Sequence, residues 1–254
     1  MNRISKTKIE LYSRLSQSKQ RRKLGLFAAE GLKCVTDTLE AFDIEALVVT
    51  ENFVDCCARL LERHTDKVAV CTQAEMKRIS SLSSAPEIMA IYRMPLYEET
   101  LPLPQEGKPA LLLDGVQDPG NLGTIVRTAH WFGFDTIYAS RSTADIFSAK
   151  AIQASMGSVA AVRVVYCDLV SLADACPSRP VYGLQLDGMD IFTVSSFPAG
   201  LIVMGSEGNG ISEQMKARVS DPLTIPPVSA ADHPDSLNVA VASAITLAAM
   251  IKKK

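Results

Sequence analysis

Between Ala110 and Ile225 the chain repeats one pattern, a short β-rich apolar run followed by a stretch of helical character. The runs are Ala110–Leu113, Thr136–Ala139, Val162–Val165, Val181–Gln185, Leu201–Met204 and Leu223–Ile225. Strands separated by helices predict a mostly parallel sheet, covered on both faces by those helices. Ligands of such sheets lie beyond the C-terminal ends of the strands. A second alternation precedes it: strands at Leu24–Ala29, Ala46–Thr50, Val68–Cys71 and Ile88–Met94, and helices starting near Leu32, Phe53 and Ala74. Residues 1–94 therefore predict a small α/β domain of their own. Residues 95–109 carry Pro95, Pro102, Pro104 and Pro109 with little apolar periodicity, the composition of an extended linker. The second domain is expected to run from 110 to 254, and neither half shows an internal repeat or a low-complexity segment.

The chain has 254 residues, 47% hydrophobic and 21% charged, enough for two modest cores. No apolar run approaches the ~20 residues of a membrane helix, and the N-terminus is too polar for a signal peptide, so a cytoplasmic protein with no membrane contact is expected. The six cysteines lack CxxC spacing and read as reduced packing groups. His64, His130 and His233 are far apart, and none pairs with a cysteine at ligand spacing, so no metal site is expected. The net charge is −2, yet Arg3, Lys6, Lys8, Arg14, Lys19, Arg21, Arg22, Lys23 and Lys33 face only Glu10 and Glu30 in the first 33 residues. This segment is either a solvated charged helix with a frayed start or a phosphate-attracting surface.

Three loops that leave strands carry the chemistry. The first reads Asp118-Pro-Gly-Asn-Leu-Gly123-Thr-Ile-Val-Arg127. Pro119 and Gly120 make a turn, and Asn121 is the expected N-cap of a helix that buries Leu122, Ile125, Val126 and Ala129. Packing decides whether Arg127 faces the sheet end or solvent. The second, Gly205-Ser-Glu207-Gly-Asn-Gly210-Ile-Ser212, lets backbone approach a ligand closely, with Ser212 capping the next helix. Neither GxGxxG nor GxxxxGK[ST] occurs, which excludes support for a dinucleotide fingerprint or a P-loop. The third runs from Ile225-Pro-Pro227 to Ser236-Leu-Asn238, where Ser236 or Asn238 caps a helix expected from about Asn238 to Lys252. That helix is apolar almost all round, so it belongs in a core or against another subunit.

Together these loops resemble the three signature motifs of the SpoU (TrmH) family of RNA 2′-O-methyltransferases: DPxNxGxxxR, GxEGxGI and IP…SLN before a C-terminal helix. The match covers residues 110–251. In addition, Phe27-Ala-Ala-Glu30-Gly31-Leu-Lys33 and Ser83-Ser-Ala-Pro86-Glu-Ile-Met-Ala90 resemble the family's L30e-like substrate-binding domain. The resemblance implies a trefoil-knotted, SPOUT-like α/β catalytic domain, the cofactor S-adenosylmethionine, and a homodimer packed through the last helix. It implies an RNA substrate, ribosomal ahead of transfer RNA, although some relatives confer antibiotic resistance. Gly205, Glu207, Ile225, Leu237 and Asn238 match cofactor-lining positions. Asn121, Arg127, Glu207, Ser236 and Asn238 match catalytic ones. Arg21, Arg22, Lys23, Glu30, Lys33 and Arg127 become the RNA-binding candidates.

Arg127 has been considered a general base in the family. A guanidinium stays protonated and offers no acceptor lone pair, so a phosphate-positioning charge suits it better. The loop Pro227–Asp235 is longer than the family pattern and contains Ala230, Ala231, Asp232, His233 and Pro234, which leaves its contacts and the role of His233 open. A non-catalytic RNA-binding protein and a methylase of protein or small molecules are the competing readings. The target nucleotide is not legible.

Overall fold

The computed structural model describes residues 2–96, 101–228 and 234–251. His233 and the loop residues around it, 229–233, lie outside the described residues, as do the last three lysines. The chain forms two compact units: residues 1–97 with 145–160, and residues 98–144 with 161–254.

In the first unit the elements run β1 (Asn2–Arg3), α1 (Lys6–Ser13), α2 (Ser18–Leu24), β2 (Leu26–Glu30), α3 (Leu32–Thr38), β3 (Ile44–Thr50), α4 (Ala58–Glu62), β4 (Val68–Cys71), α5 (Gln73–Ile79) and β5 (Ile88–Arg93). They build a five-stranded sheet in the order β1-β4-β3-β5-β2, parallel between β1, β4 and β3 and antiparallel where β5 meets β3 and β2. Alternate residues of the strands serve opposite faces. Val48, Met89 and Ile91 pack with Ile9, Tyr12, Met76 and Ile79 on one side, and Phe27 and Tyr92 stack with Phe42 on the other.

Helix ends follow their local chemistry. Thr72 and Glu75 form a capping box on α5, and Gly25, at φ 63°, stops α2 after Leu24. That glycine moves the start of the strand predicted at Leu24 to Leu26. The helix predicted from Phe53 is also displaced: two 3-10 turns, Glu51–Phe53 and Asp55–Cys57, precede α4.

The second unit comprises β6 (Ala110–Asp114), α6 (Pro119–Trp131) and β7 (Thr136–Ala139). The chain then gives α7 (Ala149–Ser155) to the first unit and returns as β8 (Arg163–Tyr166), α8 (Leu169–Asp174), β9 (Val181–Asp190), β10 (Leu201–Gly205), α9 (Glu213–Lys216), β11 (Asp221–Thr224) and α10 (Val239–Met250). All six strands pair in parallel, in the order β11-β9-β10-β6-β7-β8. Leu112, Val165, Val181 and Val203 meet Leu172 of α8 and Met215 of α9 in one core layer, and α10 packs against α6 and β10.

Residues 145–160, read from the sequence as part of the 110–254 domain, cluster with the first unit. The Arg21 guanidinium, 4% exposed, donates to Asp145 Oδ2 at 2.6 and 3.1 Å and to the carbonyls of Leu15 and Ser16 at 2.8 and 3.0 Å. Ser18 adds a third donor to the same carboxylate oxygen, and the Phe147 ring sits 4.6 Å from that of Phe27.

Candidate active site at the strand ends

β10 and β6 are neighbours in register, with Gly205 opposite Asp114, so the loops that follow them leave the sheet side by side. The buried Asp114 ties them together by accepting a hydrogen bond from the backbone N–H of Ser212 at 2.8 Å. After β10 the backbone reverses tightly: Ser206 N–H donates to Gly210 O at 2.9 Å and Gly210 N–H to Ser206 O at 3.0 Å. A Cβ on Gly205 would stand 2.2 Å from the carbonyl carbon of Gly210, and Gly210 itself has φ 65°, so both positions demand glycine.

The first loop enters α6 differently from the sequence expectation. Asp118, not Asn121, is the N-cap; its Oδ1 accepts from the Asn121 N–H at 2.9 Å, with Pro119 in the first turn. Asn121 thus sits within the first turn, and its side chain is released from capping. It donates through Nδ2 to Glu207 Oε1 at 2.7 Å and accepts through Oδ1 from Asn238 Nδ2 at 3.1 Å. Asn238 is the N-cap of α10, its Oδ1 accepting from the N–H groups of Ala240 and Val241 at 2.9 and 3.4 Å. Three loops that are remote in sequence therefore meet in one hydrogen-bonded chain of polar side chains, and Ser212 caps α9 as its position suggested.

Arg127 is exposed and, among the described residues, has no hydrogen-bond or ion-pair partner. It lies six residues after Asn121, about 9 Å further along α6 and about 120° around it. Leu122, Ile125, Val126 and Ala129 fill the buried face, as their spacing predicted. Ser236 and Leu237 are exposed just before the α10 cap, and Ile225, half-buried, follows the end of β11. No hydrogen bond links Ser236 or Arg127 to the Asn121 chain among the described residues.

The RNA-binding candidates divide. Arg22 and Lys23 are exposed, and Lys33 is exposed and pairs with Asp37 at 2.9 Å. Arg21 is committed to Asp145. Glu30, 6% exposed, accepts from Ser80 Oγ at 2.5 Å and from the Ser81 N–H and Oγ at 3.1 and 2.6 Å, holding the Ser80–Ser81 turn against β2. Sequence reasoning overlooked Asp114 and Asp118. Pro119, in the first helical turn, is the signal that places the cap at Asp118, three residues before Asn121, and an acid closing the apolar run Leu111–Leu113 is the signal for Asp114.

A cavity of about 320 Å³ lined by Pro104, Lys108, Phe134 and Tyr138 lies by the opposite, N-terminal ends of β6 and β7. Among the described residues no cluster of three metal-ligating side chains occurs.

Residues 108–248 match the SpoU rRNA Methylase family, and residues 6–90 match the MRM3-like substrate binding domain. The 23S rRNA (guanosine(2553)-2′-O)-methyltransferase RlmP of Bacillus subtilis is 31% identical over 250 residues, 94% of this chain and 93% of that protein. The 23S rRNA (guanosine-2′-O-)-methyltransferase RlmB of a Burkholderia species is 37% identical over 163 residues, 61% of this chain and 64% of that one. The crystal structure of an AdoMet-bound rRNA methyltransferase from Sinorhizobium meliloti superposes with a TM-score of 0.81 at 28% identity, over 98% of this chain and 95% of that one. A parallel α/β sheet with signature loops at its strand ends, matched by the family along most of its second unit, places this chain in the SpoU methylase family.

Proposed function

We propose that the protein transfers a methyl group from S-adenosylmethionine to the 2′-oxygen of a ribose in ribosomal RNA, in the cytoplasm. The observation that carries this reading is the Asn238–Asn121–Glu207 chain, which joins all three signature loops at one end of the parallel sheet. The likeness to RlmP over nearly the whole of both chains supports RNA, and ribosomal RNA in particular, as the substrate.

The residues present suit the cofactor. Around Gly208 and Gly210 no atom stands within 4 Å of where a Cβ would be, so the backbone of this turn is open to a ligand. Leu237, 49% exposed, offers an apolar surface beside it in chain order to the polar Asn238. Gly205, Glu207, Ile225, Leu237 and Asn238 would line that ligand. When bound, it supplies a sulfonium-activated methyl group and leaves as a neutral thioether.

The protein's share of the work is alignment. In-line displacement needs the ribose oxygen held close to the methyl carbon, and ordering the nucleotide beforehand removes much of the barrier. Arg127 grips a phosphate oxygen of the RNA and stabilises charge that builds on the ribose oxygen as its proton passes to solvent water. Glu207 and Ser236 orient the ribose hydroxyl. Arg22, Lys23 and Lys33 attract the RNA backbone to the first unit. The outward residues of α10 include Val241, 49% exposed, and an apolar helix with such a face is completed by a second copy of the chain. The knotted threading of the family is part of the same proposal.

Labelled cofactor incubated with separate ribosomal and transfer RNA pools tests the reading. Label is expected in alkali-resistant linkages of the ribosomal pool. Label in neither pool would contradict it.

A further inference from the structure

The hydrogen bonds at the strand ends have a direction, and that direction is set from one place. Backbone N–H groups only donate, so the Asn238 atom that meets the N–H of Ala240 and Val241 must be the amide oxygen. Its nitrogen is then left to face Asn121 and has only hydrogens to offer. The Asn121 atom opposite it must be the oxygen, which turns the Asn121 nitrogen toward Glu207. The carboxylate at the end of the chain receives a donor at Oε1, and among the described residues Oε2 has no partner. Each amide orientation follows from the one before it, and the first is fixed by the N-terminus of a 12-residue helix.

We infer that Asn238 is a positioning residue whose cap on α10 sets the polarity of an amide relay through Asn121 and thereby fixes the orientation of the Glu207 carboxylate for the ribose hydroxyl. The inference rests on the methyl-transfer reading for its catalytic consequence, but the relay is a property of the protein alone. Capping and relay use different atoms of one side chain: Oδ1 holds the helix and Nδ2 holds Asn121. A substitution can therefore separate them. Aspartate and serine both cap helices well, but ionised aspartate has no hydrogen to give, and serine has only an O–H on a side chain too short to span the contact that Asn238 Nδ2 makes. Aspartate also turns a carboxylate toward Asn121 Oδ1, so Asn121 must rotate and present its oxygen to Glu207, where two acceptors face each other.

The test compares Asn238→Asp and Asn238→Ser with the wild type. The thermal midpoint reports the cap, the side-chain amide NMR resonances of Asn121 report the relay, and kcat and KM on ribosomal RNA report its consequence. The midpoint is expected to stay within about 2 °C. The Asn121 resonances are expected to shift in both variants, and kcat to fall roughly tenfold to a hundredfold with KM for RNA changed less than about threefold. The aspartate variant should fall further than serine and regain part of its kcat as pH is lowered, because protonating a carboxylate restores a donor. Unmoved Asn121 resonances, or full turnover in both variants, would overturn the inference. The NMR measurement needs no RNA, so the relay is decided even if the wild type transfers no methyl group to ribosomal RNA, an outcome that would instead overturn the functional reading.

Discussion

Two groups of polar side chains have the residue types of an active or binding site, and the molecule uses them in opposite ways. In the first unit Arg21 and Glu30 are 4% and 6% exposed, and each spends its hydrogen-bonding capacity on neighbours of its own unit. In the second unit Glu207 and Asn238 are exposed, Arg127 has no partner among the described residues, and Glu207 keeps one carboxylate oxygen unused. A charge that is fully paired builds the fold; one with capacity to spare can hold a substrate. Residue type and motif position do not separate the two cases; the difference lies in how much hydrogen-bonding capacity each side chain has left.

The largest effect should come from breaking the filled set. Replacing Arg21 by methionine keeps much of the side-chain volume but removes the counter-charge of Asp145, leaving it the Ser18 hydroxyl and the Phe147 N–H, and strands two carbonyls; it is expected to cost about 3–5 kcal/mol in denaturant unfolding. A loss below about 1 kcal/mol would show that Arg21 is no more committed than a surface arginine.

Gly205→Ala sharpens the second half of the contrast, because it disturbs the backbone beneath the open site. Its Cβ meets main-chain atoms of Gly210 and Ile211, which cannot swing away as a side chain can. A destabilisation of about 1–3 kcal/mol is expected, with loss of cofactor binding in calorimetry.

Burial of titratable groups in the two cores also predicts a pH dependence. Burial pushes the thiols of Cys34, Cys71 and Cys167 up to about 11, and the hydroxyls of Tyr12 and Tyr138 up to about 12. Unfolded, these groups ionise at their lower ordinary values, so above about pH 9 the unfolded chain binds fewer protons than the folded one and stability falls as pH rises. The contribution is complete below about pH 9 and is lost progressively toward pH 12. A fall in Tm on the order of 5 °C between pH 8.5 and 10.5 is expected in a thermal melt. A flat profile would mean these groups are wetter than their burial indicates.

The smallest effect belongs to the exposed basic residues. Arg22→Gln with Lys23→Gln should leave stability within about 0.5 kcal/mol. RNA affinity should weaken severalfold at low salt, and the dependence of affinity on salt should become shallower. Unchanged salt dependence would remove both residues from the RNA surface.

Much of the architecture could be read from the chain because periodicity is a local signal. The strands Thr136–Ala139 and Val68–Cys71 lie where the apolar runs put them. The misses have local causes as well. β9 continues to Asp190, past the expected end at Gln185, through Asp187 and Gly188, a composition that resembles a turn. Gly188 serves a different purpose: a Cβ there would stand 2.5 Å from the Leu223 carbonyl carbon, so glycine lets β11 approach where its register shifts between Pro222 and Leu223. The site was legible as three separate loops, but the meeting of Asn121 with Glu207 and Asn238 spans 86 and 117 residues of sequence. The commitment of Arg21 to a carboxylate 124 residues away was invisible for the same reason.

The central claim, that the unpaired charge of Arg127 on α6 positions the RNA ribose, is tested most directly by Arg127→Lys. The measurement is the single-turnover rate of methyl transfer to ribosomal RNA at saturating cofactor, with RNA affinity determined in parallel. A lysine keeps the charge and loses the planar two-pronged grip, so the rate should fall by about 10²-fold or more while the protein remains folded. Near-full turnover with unchanged RNA affinity would contradict the account.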